Sequence, residues 1–279
     1  MAGPVRRALA AAVGLAALVA ACSSGSGAGG GPESPPASVS ATAGPNASPP
    51  AQPAEQCGGG PALPAESFWL SGARGTQLAA ATVGTGSDVA VFVHESGMSG
   101  LCGFWPYAVW LAQGRHLRAV LFDQCGYGAS FCEKDSATEP EDWITSTKAA
   151  VAWARAHGAR RVTVVGASAG GIVALHAAAS IQPAVDAVVD LSGELTWSGL
   201  DSLTAARTLT VPVLYAVAPH DEYVTVADMR RIYAATGARS KRLIQAESGH
   251  GWEMLTTPSR TGWSPLAAQA AAIIQGTHR

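Results

Sequence analysis

Val162-Thr163-Val164-Val165-Gly166-Ala167-Ser168-Ala169-Gly170-Gly171 is the stretch on which the fold turns. Its first four residues are all β-branched and read as a strand. The Ala-rich run Ala169–Ser180 reads as a buried helix. Between them lies Gly-x-Ser-x-Gly. A serine on so sharp a strand-to-helix turn is held in a strained backbone conformation, so the residues two positions away must be small. The turn exposes Oγ near the helix N-terminus, where the backbone N–H of Ala169 can stabilise an oxyanion. The competing reading is a glycine-rich turn with an incidental serine.

Working outward, apolar strands alternate with helices. Phe68–Leu70 and Gln77–Val83 read as two strands joined by a turn, and Val89–His94 and Leu117–Phe122 as two more. Ala184–Leu191, Val211–Val217 and Arg242–Gln245 follow the serine. Helices are expected over Trp105–Gln113, Asp142–His157, Val226–Thr236 and Pro265–Gln275. Continuous apolar runs suit parallel strands buried on both faces, and their alternation with helices predicts a mostly parallel α/β sheet, with the first two strands as an antiparallel edge. A dinucleotide-binding domain is the runner-up. Gly84-Thr85-Gly86 precedes a strand instead of following one, which is the wrong order for that fingerprint.

A nucleophilic serine needs a base and the base an orienting acid, on such turns in the chain order Ser, Asp or Glu, His. His250, in Ser248-Gly249-His250-Gly251, follows the last short strand and is the candidate base. His278 is terminal, His176 lies within a helix, and His116 and His157 flank strands at the opposite end of the sheet. Asp221 just follows the strand Val211–Val217 and is the candidate acid. Glu222 beside it and Glu194 after the preceding strand are its competitors. Asp123 precedes the serine in the chain and reads as a loop-ordering residue.

Composition divides the chain into three. Of 279 residues 48% are hydrophobic and only 14% charged, with Gly 32 and Pro 17; an average chain carries about 25% charged residues. The formal net charge of −2 leaves no footprint for nucleic acid. Residues 1–21 read as a signal peptide: Arg6 and Arg7, then an apolar stretch too short to span a bilayer. It ends in Leu18-Val19-Ala20-Ala21-Cys22, which resembles a bacterial lipobox and implies lipidation of Cys22 and anchoring to the outer face of the cell membrane. Residues 23–61 are dominated by Ser, Gly, Ala and Pro, without Lys, Arg or aromatic residues. With Cys22 they make a disordered tether over 22–61 whose reach is about 35 Å. Residues 62–279 form one domain.

At this point the chain resembles the α/β hydrolases over residues 66–279. The elbow at Ser168, then Asp221 and His250, match the triad order of that family. Phe122-Asp123-Gln124-Cys125-Gly126-Tyr127-Gly128-Ala129-Ser130 is similar to its D-x-x-G-x-G-x-S turn, and Val91–His94 to the strand entering its oxyanion loop. The resemblance implies a central, mostly parallel sheet flanked by helices. It also implies a second oxyanion N–H from Ser96, with Glu95 the alternative. His94-Glu95-Ser96-Gly97 departs from the usual His-Gly of that loop. A carboxylate beside an oxyanion is unfavourable, so Glu95 is expected to point away, with His94 as a loop anchor.

Cys57, Cys102, Cys125 and Cys132 are even in number and, in an exported chain, suggest two disulfides with three possible connectivities. No metal site and no cofactor are read, since no C-x-x-C pair and no ligand-spaced histidine occurs. Trp105, Tyr107, Phe131, Trp197 and Trp252 are candidates for an apolar acyl pocket or for ordinary packing. The segment 192–210 is too short for a large cap. The sequence thus points to a tethered serine hydrolase acting on a small-molecule ester or thioester. Acyl transfer or peptide cleavage by the same residues is an alternative, as is a non-catalytic ligand-binding lipoprotein.

Overall fold

The computed structural model describes residues 48–58, 63, 65–72, 75–132 and 139–277. The expected signal peptide, Cys22 and the tether residues 23–47 and 59–61 lie outside them.

The chain enters through a short helix, α1 (Pro53–Gln56), and then builds β1 (Ala65–Ser71), β2 (Gln77–Val83), β3 (Asp88–Val93), α2 (Trp105–Arg115) and β4 (Arg118–Phe122). After α3 (Pro140–Ala156) come β5 (Arg161–Ala167), α4 (Ala169–Ser180) and β6 (Ala187–Leu191). A two-residue hairpin, β7 (Thr196–Trp197) and β8 (Leu200–Asp201), leads into α5 (Ser202–Thr208). Then follow β9 (Val213–Val217), α6 (Val226–Ala235), β10 (Lys241–Gln245) and α7 (Pro265–Ile274). The main sheet has the order β1-β2-β4-β3-β5-β6-β9-β10. β2 runs antiparallel to both β1 and β4, and every pairing from β4 onward is parallel. The antiparallel β2 separates this sheet from the all-parallel dinucleotide-binding alternative.

Strand alternation sends successive side chains to opposite faces. Val89, Val91 and Val93 of β3 join a core with α3, α4, α5 and α6, whereas Ala90 and Phe92 join the core beneath α2 and α7. Both faces are covered, which is why the central strands carry apolar residues without a break. α3 buries Ile144, Val151 and Ala154 and ends before Gly158, as its spacing predicts. The segment between β6 and β9 holds only the β7–β8 hairpin and α5, so no large cap covers the strand ends.

One boundary differs from expectation. The tether was expected to run to residue 61, but residues 48–58 lie against the domain. Trp69 Nε1 donates to the Ser48 carbonyl at 2.8 Å and Ser67 Oγ to that of Ala51 at 3.0 Å. Pro53 is buried at the start of α1, and Cys57 is bonded to Cys102. The covalent link and the hydrogen bonds to β1 hold a segment whose composition alone would leave it loose.

Candidate functional site

Parallel strands bring their C-terminal ends to one edge, and there the candidate residues gather. β3 leads to His94-Glu95-Ser96, β4 to Asp123, β5 to Ser168, β6 to Ser192 and Glu194, β9 to Asp221 and β10 to His250.

Ser168 has φ 51° and ψ −123°, a region that L-residues avoid at a cost of about 1–3 kcal/mol. The turn tolerates no bulk on either side: a Cβ at Gly166 would lie 2.1 Å from the Gly170 carbonyl oxygen, and one at Gly170 would lie 2.2 Å from that of Val93. Its amide donates to the Leu191 carbonyl at 3.0 Å, locking the elbow to β6.

The side chain of Asp221 is covered and saturated with donors. His250 Nδ1 lies 2.9 and 3.0 Å from its two oxygens, Ser192 Oγ donates at 2.6 Å, and the amides of Tyr223 and Val224 donate at 2.9 Å each. Burial acts to raise its pKa, but these hydrogen bonds outweigh it and hold the carboxyl below its ordinary value. Burial acts to lower the pKa of His250, yet the bond to Asp221, its charge and those of Glu95 and Glu194 raise it above the ordinary histidine value. With Nδ1 donating to Asp221, Nε2 is the nitrogen left to take a proton. Glu222, the neighbouring competitor, is exposed.

Glu194, the other competitor, has a different partner. Its Oε1 accepts from Ser168 Oγ at 3.2 Å. A hydroxyl carries one proton, so in this arrangement Ser168 donates to Glu194 and not to His250. Ser168 and His250 nevertheless share one cavity of about 280 Å³, whose other lining residues are Glu95, Ser96, Gly97, Glu194 and Tyr223. A second cavity of about 370 Å³ continues past His250 toward His220, Glu222 and Glu253. The Tyr223 ring stands 4.7 Å from that of His250 and is 72% exposed.

The loop beyond β3 is held from below. His94 is buried; its Nδ1 donates to the Glu95 carbonyl at 2.6 Å and its Nε2 accepts from the Gln124 amide at 2.9 Å. Burial lowers its pKa to about 4, so the ring is neutral and keeps this one-donor, one-acceptor tautomer. Tyr127 Oη donates to the Ser96 carbonyl at 2.7 Å. Asp123 takes the Leu101 amide on Oδ1 at 2.7 Å and Gln56 Nε2 on Oδ2 at 3.2 Å. Gly128 crosses so close to it, at φ 51°, that a Cβ would lie 2.0 Å from Asp123 Oδ2. His94 is thus the expected loop anchor, and Asp123 orders loops without touching the serine.

One expectation fails here. Glu95 was expected to point away, but its carboxylate lies between Gly97 and Gly251: a Cβ at those glycines would come within 2.9 and 2.6 Å of its oxygens. Both positions lack a side chain, and that opens room for the carboxylate on the cavity side. Burial raises its pKa, against the lowering effect of His250. Of the two readings left open for the aromatic residues, ordinary packing is the one that Trp105, Tyr107 and Trp197 support, and among the described residues none of the five lines the cavity around Ser168. Trp105 and Tyr107 are 3% and 2% exposed within the α2 core, Trp197 packs on Trp143, and Phe131 pairs with Gln77.

Cys57 pairs with Cys102 and Cys125 with Cys132, which selects one of the three connectivities. Among the described residues no group of three or more His, Cys, Asp and Glu is arranged to hold a metal.

The sequence model of the alpha/beta hydrolase family matches residues 90–276. No curated protein shows a significant sequence match. The fold is similar to that of an esterase from Pyrococcus furiosus, with a TM-score of 0.66 at 11% identity over 80% of this chain and 93% of that one. It is similar to a dienelactone hydrolase from Anabaena variabilis, TM-score 0.60 at 19% identity over 77% and 98%. It is also similar to Est1E of Butyrivibrio proteoclasticus, solved with ferulic acid bound, TM-score 0.57 at 16% identity over 75% and 97%. An eight-stranded sheet in this order, an elbow after its fifth strand and a family match that runs from β3 to beyond α7 agree: the chain belongs to the α/β-hydrolase family.

Proposed function

We propose that the protein is a serine hydrolase that cleaves a small carboxylic ester or thioester through an acyl-enzyme. The observation that carries this reading is the Asp221–His250 pair facing the same cavity as Ser168 on its elbow. Ser168 Oγ turns from Glu194 to His250 and attacks the acyl carbon, while His250 Nε2 takes the hydroxyl proton. The amides of Ala169 and Ser96 receive the oxyanion. The tetrahedral intermediate collapses, and the leaving oxygen or sulfur departs with the proton from His250. Water then attacks the acyl-enzyme by the same relay, releasing the acid and restoring the Ser168 hydroxyl. Asp221 keeps His250 in the required tautomer throughout. No resident cofactor or metal is assigned a step. The likeness of Leu18–Cys22 to a lipobox supports an exported enzyme held to a membrane by lipid on Cys22.

Labelling with a fluorophosphonate probe tests this. Labelling of the wild type that disappears in Ser168→Ala supports it. A second reading, a non-catalytic ligand-binding scaffold, has the Ser168–Glu194 bond in its favour. A folded wild type that takes no label and hydrolyses no p-nitrophenyl ester would establish that reading instead.

A further inference from the structure

Glu194 stands outside the acid–base relay, yet it holds the proton of the nucleophile. The geometry of acyl transfer says which part of a substrate meets it. His250 must protonate the leaving group, so the leaving group lies on the His250 side, where the larger cavity opens. Glu194 Oε1 lies 3.2 Å from Ser168 Oγ, the atom that carries the acyl group in the acyl-enzyme, so the acyl group formed there sits beside Glu194 in the cavity around Ser168.

Attack removes the donor that Glu194 has at rest. Once the Ser168 proton has passed to His250 and from there to the leaving group, the Glu194 carboxylate is left beside the acyl group of the acyl-enzyme without it. Burial already disfavours its charge, and only Ser168 and His250 counter that. Glu95 borders the same cavity, with one carboxylate oxygen covered from solvent, and neither Lys nor Arg lines the space. An apolar acyl chain would leave these charges uncompensated, and an anionic one would be repelled. A cationic one would give Glu194 the partner it loses.

We propose that Glu194 is a specificity-determining residue that selects acyl groups bearing an ammonium, which takes the place of the Ser168 hydroxyl against its carboxylate. This rests on the serine hydrolase reading of the site.

The test compares two p-nitrophenyl esters of equal shape: that of trimethylammonio-butyric acid and that of its neutral tert-butyl isostere. The wild type is expected to favour the cationic ester in kcat/KM. Glu194→Gln keeps an acceptor for Ser168 but removes the charge. It should lower the ratio of cationic to neutral kcat/KM about tenfold, chiefly through KM, the size expected for one charge pair in a partly solvated site. Glu194→Asp keeps the charge and should keep a preference within about threefold of the wild type. A ratio unchanged within twofold in Glu194→Gln, while both esters are still hydrolysed, overturns the proposal and leaves the hydrolase reading standing. An enzyme that takes no fluorophosphonate and cleaves neither ester removes that reading and this inference with it.

Discussion

Two carboxylates end neighbouring loops of the same sheet edge, and their surroundings could hardly differ more. Asp221, after β9, takes hydrogen bonds from His250, Ser192, Tyr223 and Val224 and is held below its ordinary pKa. Glu194, after β6, takes its side-chain bond, among the described residues, from Ser168 alone and is raised by burial. An acid that orients a histidine must stay charged and must not move. Four donors achieve both. An acid with one exchangeable donor can change partners, which suits a group that meets substrate. On the proposed function, the difference suits Asp221 to the relay and Glu194 to recognition, although both satisfy the same chain-order rule.

The sharpest way to break this contrast is to neutralise each acid in turn. Asp221→Asn is expected to lower kcat on a neutral p-nitrophenyl ester by about 10⁴-fold, because the histidine loses its required tautomer. Glu194→Gln should cost less than about tenfold on the same ester. A crippled Glu194→Gln beside a mildly affected Asp221→Asn would reverse the two roles.

The floor beneath the Glu194 loop offers a stability test. Asp190 is fully buried, accepts the Gly193 amide at 2.7 Å, and burial raises its pKa to about 7. Its folded pKa lies above the unfolded value, so the folded state binds the extra proton in between. The stability it contributes is fully present below pH about 4 and is lost as the pH rises through about 7, at about 1.4 kcal/mol per pH unit. Asp190→Asn mimics the protonated form. Denaturant melts should show it more stable than the wild type at pH 8, with a flatter profile between pH 4 and 7.

Smaller effects follow on the Asp221 side. Ser192→Ala removes one of four donors and is expected to lower kcat about tenfold, in keeping with a net hydrogen bond to a charged group. The raised pKa of His250 places the acid limb of kcat/KM above pH 6.5. Glu194→Gln removes one of the charges that raise it, so the limb should move to lower pH. A shift to higher pH would mean that Glu194 does not face His250 as a carboxylate.

The sheet and the elbow are legible from sequence because their causes are local or periodic: unbroken apolar strands, small residues around Ser168, and the order Ser168, Asp221, His250 along the chain. The hairpin Thr196–Trp197 and Leu200–Asp201 escapes, since two-residue strands carry no period. Glu194 is legible as a competing acid but not as the partner of Ser168, because that contact depends on a side-chain rotamer. Glu95 turns inward only because Gly97 and Gly251, far apart in the chain, both leave space. The aromatic residues leave two readings open in the sequence for a related reason. Trp105 and Tyr107 stand near the loops in sequence, but the phase of α2 turns them into the core.

The Cys57–Cys102 bond and the contacts of Ser48 and Ala51 with β1 also move the point from which the domain hangs. The described chain therefore meets the edge strand β1 at Ser48, well before the boundary that composition marks out, and the Cys57–Cys102 bond ties this entering segment to the turn that follows the Glu95 loop. A wall of the cavity around Ser168 is thus braced by residues that precede the first strand of the sheet.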